Sequence, residues 1–231
     1  MTSDELGRLV RGARCVLWDL DGPVCRLFAG HPAEKVAAVL VGVLEQHGLA
    51  GLLTERERAS GDPHAVLRAV DRARPGGGLV AELEERLTEE ELRAAASAMP
   101  TAWADPLIRT WTALGVRPAV ATNNAPRVAR AYLAGRGLLD CFGPHVYGRT
   151  RQLRQLKPDP HTLLRALDDL AAAPGTALFI GDAPTDCEAA RRAGVPFLGY
   201  ARDAGREAAL REAGAGVVVG SLEEPLNLLR G

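Results

Sequence analysis

The sequence lacks a long apolar run, an excess of charge of either sign, and closely spaced cysteines. No apolar stretch approaches the roughly 18 residues that a membrane span requires, so we expect no membrane segment. The formal net charge is −1, and arginines are mixed with glutamates instead of forming a basic block. This pattern argues against nucleic acid as the main partner. The acidic first five residues show no signal-peptide pattern.

Cysteine pairs that would indicate disulfides or zinc are missing. The four cysteines, Cys15, Cys25, Cys141 and Cys187, include no CxxC pair, and no Cys or His pair has the spacing of a zinc site. We therefore expect reduced thiols in or near the core of a cytoplasmic protein. The 231 residues are enough for one large domain or for a domain with an insertion. We expect a monomer or a homodimer.

Lysine is almost absent, although basic residues are common. Of 28 basic residues only Lys35 and Lys157 are lysines. Lys35 lies at a predicted exposed helix start. A lysine presents a compact ammonium group where an arginine would present a planar guanidinium, and position 157 is one of only two places where this chain uses it. This supports a functional role for Lys157.

From residue 101 onward, strand-like and helix-like segments alternate. Such alternation predicts a Rossmann-like parallel sheet with helices on both faces, an α/β fold. We place the strands at 15–18, 118–122, 145–147, 177–181, 195–199 and 217–219. A capping box of Ser221 and Glu224 predicts the start of the last helix.

Residues 26–100 break this rhythm because they contain no convincing strand. A helical stripe runs from Val36 to His47, and a second helix starts at Asp62-Pro63. A third helix is expected over Leu79–Leu87, and a capping box of Thr88 and Glu91 predicts a fourth. We therefore expect an all-helical cap domain of residues 26–100, inserted after the first strand of a core that comprises residues 1–25 and 101–231.

Polar motifs stand at four points where a predicted strand ends or a predicted helix begins. In parallel sheets, ligands collect at the carboxyl ends of the strands near the point where strand order reverses. Helix N-termini there present N–H groups and positive dipole ends, which suit an anion. The motifs are Trp18-Asp19-Leu20-Asp21-Gly22, Ala121-Thr122-Asn123-Asn124, Lys157-Pro158-Asp159-Pro160 and Gly181-Asp182-Ala183-Pro184-Thr185-Asp186.

These four motifs, in this order, resemble those of haloacid-dehalogenase-type (HAD) hydrolases, in particular the phosphoglycolate-phosphatase-like branch with its helical cap. The resemblance implies that Asp19 is the nucleophile and Asp21 the general acid and base. It also implies that Thr122 and Asn123 bind the phosphoryl group and that Lys157 balances its charge. Asp186 would support the site by holding a metal-bound water or by orienting Lys157. One departure is Pro23, where the family usually has Thr or a small aliphatic residue.

The clustered carboxylates indicate a divalent cation. Asp19, Asp182 and Asp186 would place three anions in one pocket, and a phosphate monoester adds up to two more charges. A like-charge pair about 4 Å apart costs about 4 kcal/mol at an effective dielectric constant near 20, and Lys157 alone cannot offset that set. Mg²⁺ fits a site of few carboxylates plus substrate phosphate. By resemblance its ligands would be the side chains of Asp19 and Asp182 and the carbonyl of Asp21.

The resemblance thus predicts a Mg²⁺-dependent phosphatase that hydrolyses a small phosphorylated metabolite through an aspartyl-phosphate. Relatives that cleave carbon–halogen or carbon–phosphorus bonds lack an Asp at position 21, so its presence favours phosphate esters. A phosphomutase uses the same Asp pair and stays an alternative, as does a non-catalytic protein that binds a phosphorylated ligand. Phe28 and His31, in the first hinge of the cap, are candidate substrate contacts.

Overall fold

The computed structural model describes residues 3–231 as a sheet-and-helix core with a helical insertion. The strands are β1 (Cys15–Trp18), β2 (Cys25–Arg26), β3 (Met99–Pro100), β4 (Arg117–Ala121), β5 (Val146–Tyr147), β6 (Ala177–Gly181), β7 (Phe197–Tyr200) and β8 (Val217–Val219). The helices are α1 (Ser3–Gly12), α2 (Ala33–Gln46), α3 (Glu55–Ala59), α4 (Pro63–Ala73), α5 (Gly78–Ala96), α6 (Ala104–Ala113), α7 (Pro126–Gly135), α8 (Leu139–Phe142), α9 (His161–Asp169), α10 (Pro184–Ala193), α11 (Ala204–Glu212) and α12 (Glu223–Arg230). Within this range, no helix is both long enough and apolar enough to cross a bilayer.

Six parallel strands form the central sheet in the order β5-β4-β1-β6-β7-β8. Every residue of β1 is buried, as expected for a central strand with helices on both faces. Val16 and Trp18 face one apolar cluster, and Cys15 and Leu17 face the cluster on the other side. The predicted α/β Rossmann-like fold is confirmed. All four cysteines are free thiols, and three of them are buried.

The insertion after β1 has an apolar core of its own. Helices α2, α4 and α5 pack around a set of buried aliphatic side chains, among them Val36, Leu40, Leu67, Leu83 and Leu87. At its two ends, β2 and β3 pair antiparallel, with Cys25 opposite Pro100. The predicted helical insertion is confirmed, and this two-residue ribbon is an addition that is too short to carry a periodic sequence signal.

Neither of the two predicted capping boxes, Thr88 with Glu91 and Ser221 with Glu224, is present. Residues 78–96 form one continuous helix, α5, and not two. Thr88 lies inside it with a helical backbone, so no helix begins there, and its Oγ1 donates to the carbonyl of Glu84 at 2.8 Å, as threonine does within a helix. At the last helix, the residue that precedes the first turn is Leu222, and Ser221 Oγ accepts from the backbone N–H of Glu223 at 3.1 Å.

Candidate active site

The site lies at the carboxyl ends of three adjacent strands, where strand order reverses at β1. Asp19 follows β1, Thr122 follows β4 and Asp182 follows β6. Asp19 Oδ1 accepts from the backbone N–H of Leu20 at 2.8 Å. Gly22 closes the turn with a φ of +109°, and a Cβ there would collide with the carboxylate of Asp182. Glycine at position 22 is therefore required by both backbone conformation and space.

Lys157 binds two of the carboxylates directly. Its Nζ donates to Asp19 Oδ1 at 2.9 Å, to Asp186 Oδ1 at 2.6 Å and to the carbonyl of Ala121 at 3.1 Å. Three acceptors match the three N–H groups of an ammonium. The side chain is 2% exposed, and burial by itself would lower the pKa of Lys157, but Asp186 and Asp19 together raise it. Lys157 is therefore protonated at neutral pH and places a positive charge beside the Asp19 carboxylate.

Asp186 uses both carboxylate oxygens within the site. While Oδ1 receives Lys157, Oδ2 accepts from the backbone N–H groups of Asp182 and Ala183, at 3.1 Å each. The carboxylate therefore stabilises the start of α10 and fixes the ammonium at the same time. This contact with Lys157 is the one that the second of the two expected roles of Asp186 requires.

Arg206 is a cation in the site that the sequence did not indicate. It lies in the first turn of α11, and its Nη1 donates to Asp182 Oδ2. In a chain with this many arginines, position 206 carries no distinguishing signal. The guanidinium offsets part of the negative charge on Asp182.

Burial, together with the excess of carboxylates over cations, raises the pKa values of Asp19, Asp21 and Asp182. Burial raises the pKa of Asp19 to about 6 against the pull of Lys157, and the charge of Asp186 adds to the rise. Burial also raises the pKa of Asp182 well above its usual range, with Asp186 and Asp19 adding to it. The pKa of Asp21 is raised as well, mainly by burial, although its Oδ1 accepts from the backbone N–H of Leu27 at 2.8 Å.

The donor set fits a hard divalent cation. Oxygen atoms of Asp19, Asp182 and Asp186 lie within 4.8 Å of one another. Both oxygens of Asp186 are engaged, whereas Asp19 Oδ2 and Asp182 Oδ1 accept no hydrogen bond from residues 3–231. Carboxylate oxygens of this kind are the ligands that Mg²⁺ prefers.

The segment Thr122–Ala125, which we call the phosphoryl loop, is fixed by its own side chains. Thr122 Oγ1 donates to Asn124 Oδ1 at 3.0 Å and accepts from the backbone N–H of Asn124 at 3.2 Å. The Asn123 amide pairs with the backbone of Lys157, accepting from its N–H at 2.8 Å and donating to its carbonyl at 3.3 Å. The loop and Lys157 therefore hold each other in place.

A cavity of about 330 Å³ lies between these residues and the helical insertion. Phe28, His64 and Arg68 line it from the insertion, so Phe28 lies where the sequence placed it. His31 does not line this cavity, and its Nε2 instead contacts Glu90 Oε2 at 2.7 Å inside the insertion. His64 was missed because a lone His after Asp62-Pro63 gives only a helix-start signal.

Comparison with known proteins agrees with this geometry. The model of the haloacid dehalogenase-like hydrolases matches residues 13–194. The chain belongs to this family of hydrolases. It is 34% identical over 206 residues to a phosphoglycolate phosphatase of Rhodospirillum rubrum, with 82% of each chain covered. It is 36% identical over 117 residues to one of Thiobacillus denitrificans, with 51% of each covered.

Among solved structures, a haloacid dehalogenase-like family hydrolase from Streptococcus pneumoniae superposes with a TM-score of 0.66 at 16% identity. The superposition covers 95% of this chain and 98% of that one, and at this identity it supports the fold alone. The family match and the curated relatives confirm the predicted family, its phosphoglycolate-phosphatase-like branch, and the prediction of an enzyme that is a phosphoric monoester hydrolase.

Proposed function

We propose that this enzyme is a Mg²⁺-dependent phosphatase that hydrolyses a small phosphorylated metabolite through an aspartyl-phosphate on Asp19. The observation that carries the proposal is the pairing of Asp19 with the buried ammonium of Lys157 beside Asp21, on the wall of one cavity. Lys157 and the backbone N–H of Leu20 hold the Asp19 carboxylate in a fixed orientation at the cavity, ready to attack phosphorus. Such preorientation of a nucleophile is a large part of catalysis.

In the first step, Asp19 attacks phosphorus in line with the ester oxygen. A bond forms between the Asp19 oxygen and phosphorus as the bond from phosphorus to the ester oxygen breaks. Asp21 gives its proton to that oxygen, and the alcohol leaves. Its raised pKa favours the protonated form that this step needs.

In the second step, Asp21 is a carboxylate and accepts a proton from water. The water oxygen attacks phosphorus, the acyl-phosphate bond breaks, and Asp19 and inorganic phosphate are released. The backbone N–H of Asn123, which donates to no acceptor within residues 3–231, holds the transferring group, and Thr122 Oγ1 joins it when the hydroxyl turns its proton away from Asn124 Oδ1. Lys157 offsets its negative charge throughout.

The cation would be held by the side chains of Asp19 and Asp182 and by the carbonyl of Asp21. When bound, it supplies positive charge that lets the clustered carboxylates accept a phosphate dianion.

For the substrate, we propose a small phosphorylated carboxylic acid, with 2-phosphoglycolate as the first candidate. Two curated relatives carry the name phosphoglycolate phosphatase. The cavity is small, and Arg68 and Arg206 on its wall offer positive charge to a second anionic group. We further propose that residues 26–100 act as a cap domain over the core of residues 1–25 and 101–231. The cytoplasmic location and the monomeric or dimeric state stay predictions.

The test is to incubate the purified enzyme with 2-phosphoglycolate or p-nitrophenyl phosphate and to measure released inorganic phosphate. We expect release with Mg²⁺ and none in excess chelator, with recovery when Mg²⁺ is restored. Full activity in the chelator would remove the metal from the proposal. Transfer of the phosphoryl group to a sugar phosphate, without release to water, would identify a phosphomutase instead.

A further inference from the structure

A fully buried ion pair joins the insertion to the core outside the catalytic residues. Arg149 follows β5 in the core, and Glu91 lies on α5 of the insertion. The Arg149 Nη1 to Glu91 Oε1 distance is 2.8 Å and the Nη2 to Oε2 distance is 3.1 Å, and neither side chain is exposed. Because buried ion pairs add little net stability on average, stability alone does not account for this one, and its other contacts are informative.

The same carboxylate also holds the phosphoryl loop. Glu91 Oε1 accepts from Asn124 Nδ2 at 2.9 Å, and Oε2 accepts from the backbone N–H of Ala125 at 3.1 Å. Arg149 also binds the loop. Its Nη1 donates to the carbonyl of Asn123 at 3.1 Å, and its backbone N–H donates to the carbonyl of Asn124 at 2.9 Å. Three consecutive residues of the loop are therefore bound by this one pair.

The remaining contacts of Arg149 also come from the insertion. Its Nε donates to Glu84 Oε1 at 3.2 Å, and its Nη2 donates to Thr88 Oγ1 at 2.9 Å. His64, on α4, lies 3.1 Å from the carbonyl of Asn123 through its Nε2. The loop that follows β4 thus receives its outer support from two helices of the insertion.

The electrostatics agree with a charged pair. Burial by itself would raise the pKa of Glu91, but Arg149 and His64 lower it to about 2. Glu91 is therefore ionised at neutral pH, when it binds the guanidinium and the loop.

We propose that Glu91 and Arg149 are positioning residues that hold the phosphoryl loop in its phosphate-binding conformation. The phosphate site is then complete only while α5 is docked on the core, so that phosphate affinity depends on the docked insertion. The inference rests on the proposed function, because it assigns phosphate binding to this loop.

The neighbouring residue supplies a matched control. Glu90 is also buried, at 2% exposure, and its carboxylate is bound by Arg93 at 2.5 Å, Arg86 at 3.3 Å and His31 at 2.7 Å. All of these partners belong to the insertion. Glu90→Gln and Glu91→Gln therefore make the same chemical change on the same helix, but only the second touches the core loop.

The experiment measures how inorganic phosphate, with saturating Mg²⁺, raises the melting temperature of each variant, together with kcat and KM for p-nitrophenyl phosphate. We expect both variants to lose stability. Only Glu91→Gln should weaken phosphate binding, by about tenfold, equivalent to about 1.4 kcal/mol, because the amide has one acceptor oxygen for donors that the carboxylate shares between two. Its KM should rise correspondingly, while Glu90→Gln keeps the parent's phosphate affinity within about twofold.

If Glu91→Gln does not fold, the double variant Glu91→Gln with Arg149→Gln replaces it, because it leaves no buried charge without a partner. Equal phosphate affinity in the Glu90 and Glu91 variants would overturn the positioning role while leaving the proposed function intact. A parent enzyme that neither binds phosphate nor hydrolyses a phosphate ester would overturn both.

Discussion

Lys157 shows how one residue type is fixed by its surroundings. Its ammonium has three acceptors and is almost fully buried. In Lys157→Arg the guanidinium keeps the charge but is wider and planar, so it cannot donate to the same three atoms. We expect turnover to fall by about 10²-fold or more. We also expect a loss of about 1–3 kcal/mol in the free energy of unfolding, because the larger group overfills its site.

The matched control is Lys35→Arg, which makes the same change at an exposed position on α2. It should leave both kcat/KM and the denaturant midpoint within error of the parent. A Lys157→Arg enzyme that turned over within a few-fold of the parent would mean that another group positions Asp19.

At the scale of single residues, the sequence predicted which side chains of the local motifs come together. Asp19, Asp21, Lys157 and Asp182 each follow a strand or precede a helix within a short pattern, and the structure brings them to one cavity. Arg206 and Arg149 could not be found in this way. Their partners are 24 and 58 residues distant in the chain, and no spacing rule links them.

At the scale of helices and strands, the prediction failed where a local sequence rule was applied to residues whose contacts are with distant parts of the chain. Thr88 and Glu91 have the spacing of a capping box, but both side chains bind Arg149 in the core. The strands of the core were predicted nearly to the residue, because a buried parallel strand reads as an apolar run. The pairing of β2 with β3 and the continuation of α5 through Thr88 and Glu91 involve contacts between residues distant in the chain, which sequence periodicity does not report.

The two candidate substrate contacts at the start of the insertion, Phe28 and His31, have different surroundings. Phe28 lines the cavity, whereas His31 binds Glu90 away from it. We expect Phe28→Ala to change the ratio of kcat/KM for 2-phosphoglycolate over p-nitrophenyl phosphate by about tenfold, since pocket contacts discriminate on this scale. His31→Ala should lower the melting temperature and leave that ratio unchanged. Equal changes in the ratio for both variants would contradict the placement of His31 outside the pocket.

At the scale of the whole molecule, the buried carboxylates of the site lower the free energy of unfolding of the metal-free enzyme when they are ionised. The folded-state pKa of Asp19 is about 6, above the value of about 4 for a free aspartate. The folded state therefore binds more protons between these values, and stability falls as pH rises from about 4 to 6. Glu91 acts in the reverse sense, because its depressed pKa makes stability fall as pH drops below about 4.

We therefore expect the melting temperature of the chelator-treated enzyme to be highest near pH 4 to 5 and to decrease toward pH 7. Saturating Mg²⁺ should abolish that decrease, because the cation favours the ionised carboxylates. Asp19→Asn, which should also abolish turnover, is the control and should make the metal-free profile shallower, while Asp21 and Asp182, whose pKa values are also raised, still contribute. A metal-free parent whose melting temperature rises steadily from pH 5 to pH 7 would contradict the raised pKa of Asp19.

The ribbon of β2 and β3 brings the two ends of the insertion together, with Cys25 opposite Pro100. Because its two chain connections to the core lie side by side, the segment of residues 26–100 is a natural cassette, a unit to exchange between relatives in order to change substrate specificity. The ion pair of Arg149 with Glu91 limits such exchange. A foreign cassette without a carboxylate at the position of Glu91 would leave a buried guanidinium without its counter-charge and the phosphoryl loop without support. An exchange of residues 26–100 must therefore keep a carboxylate at position 91 or replace Arg149 in the core as well.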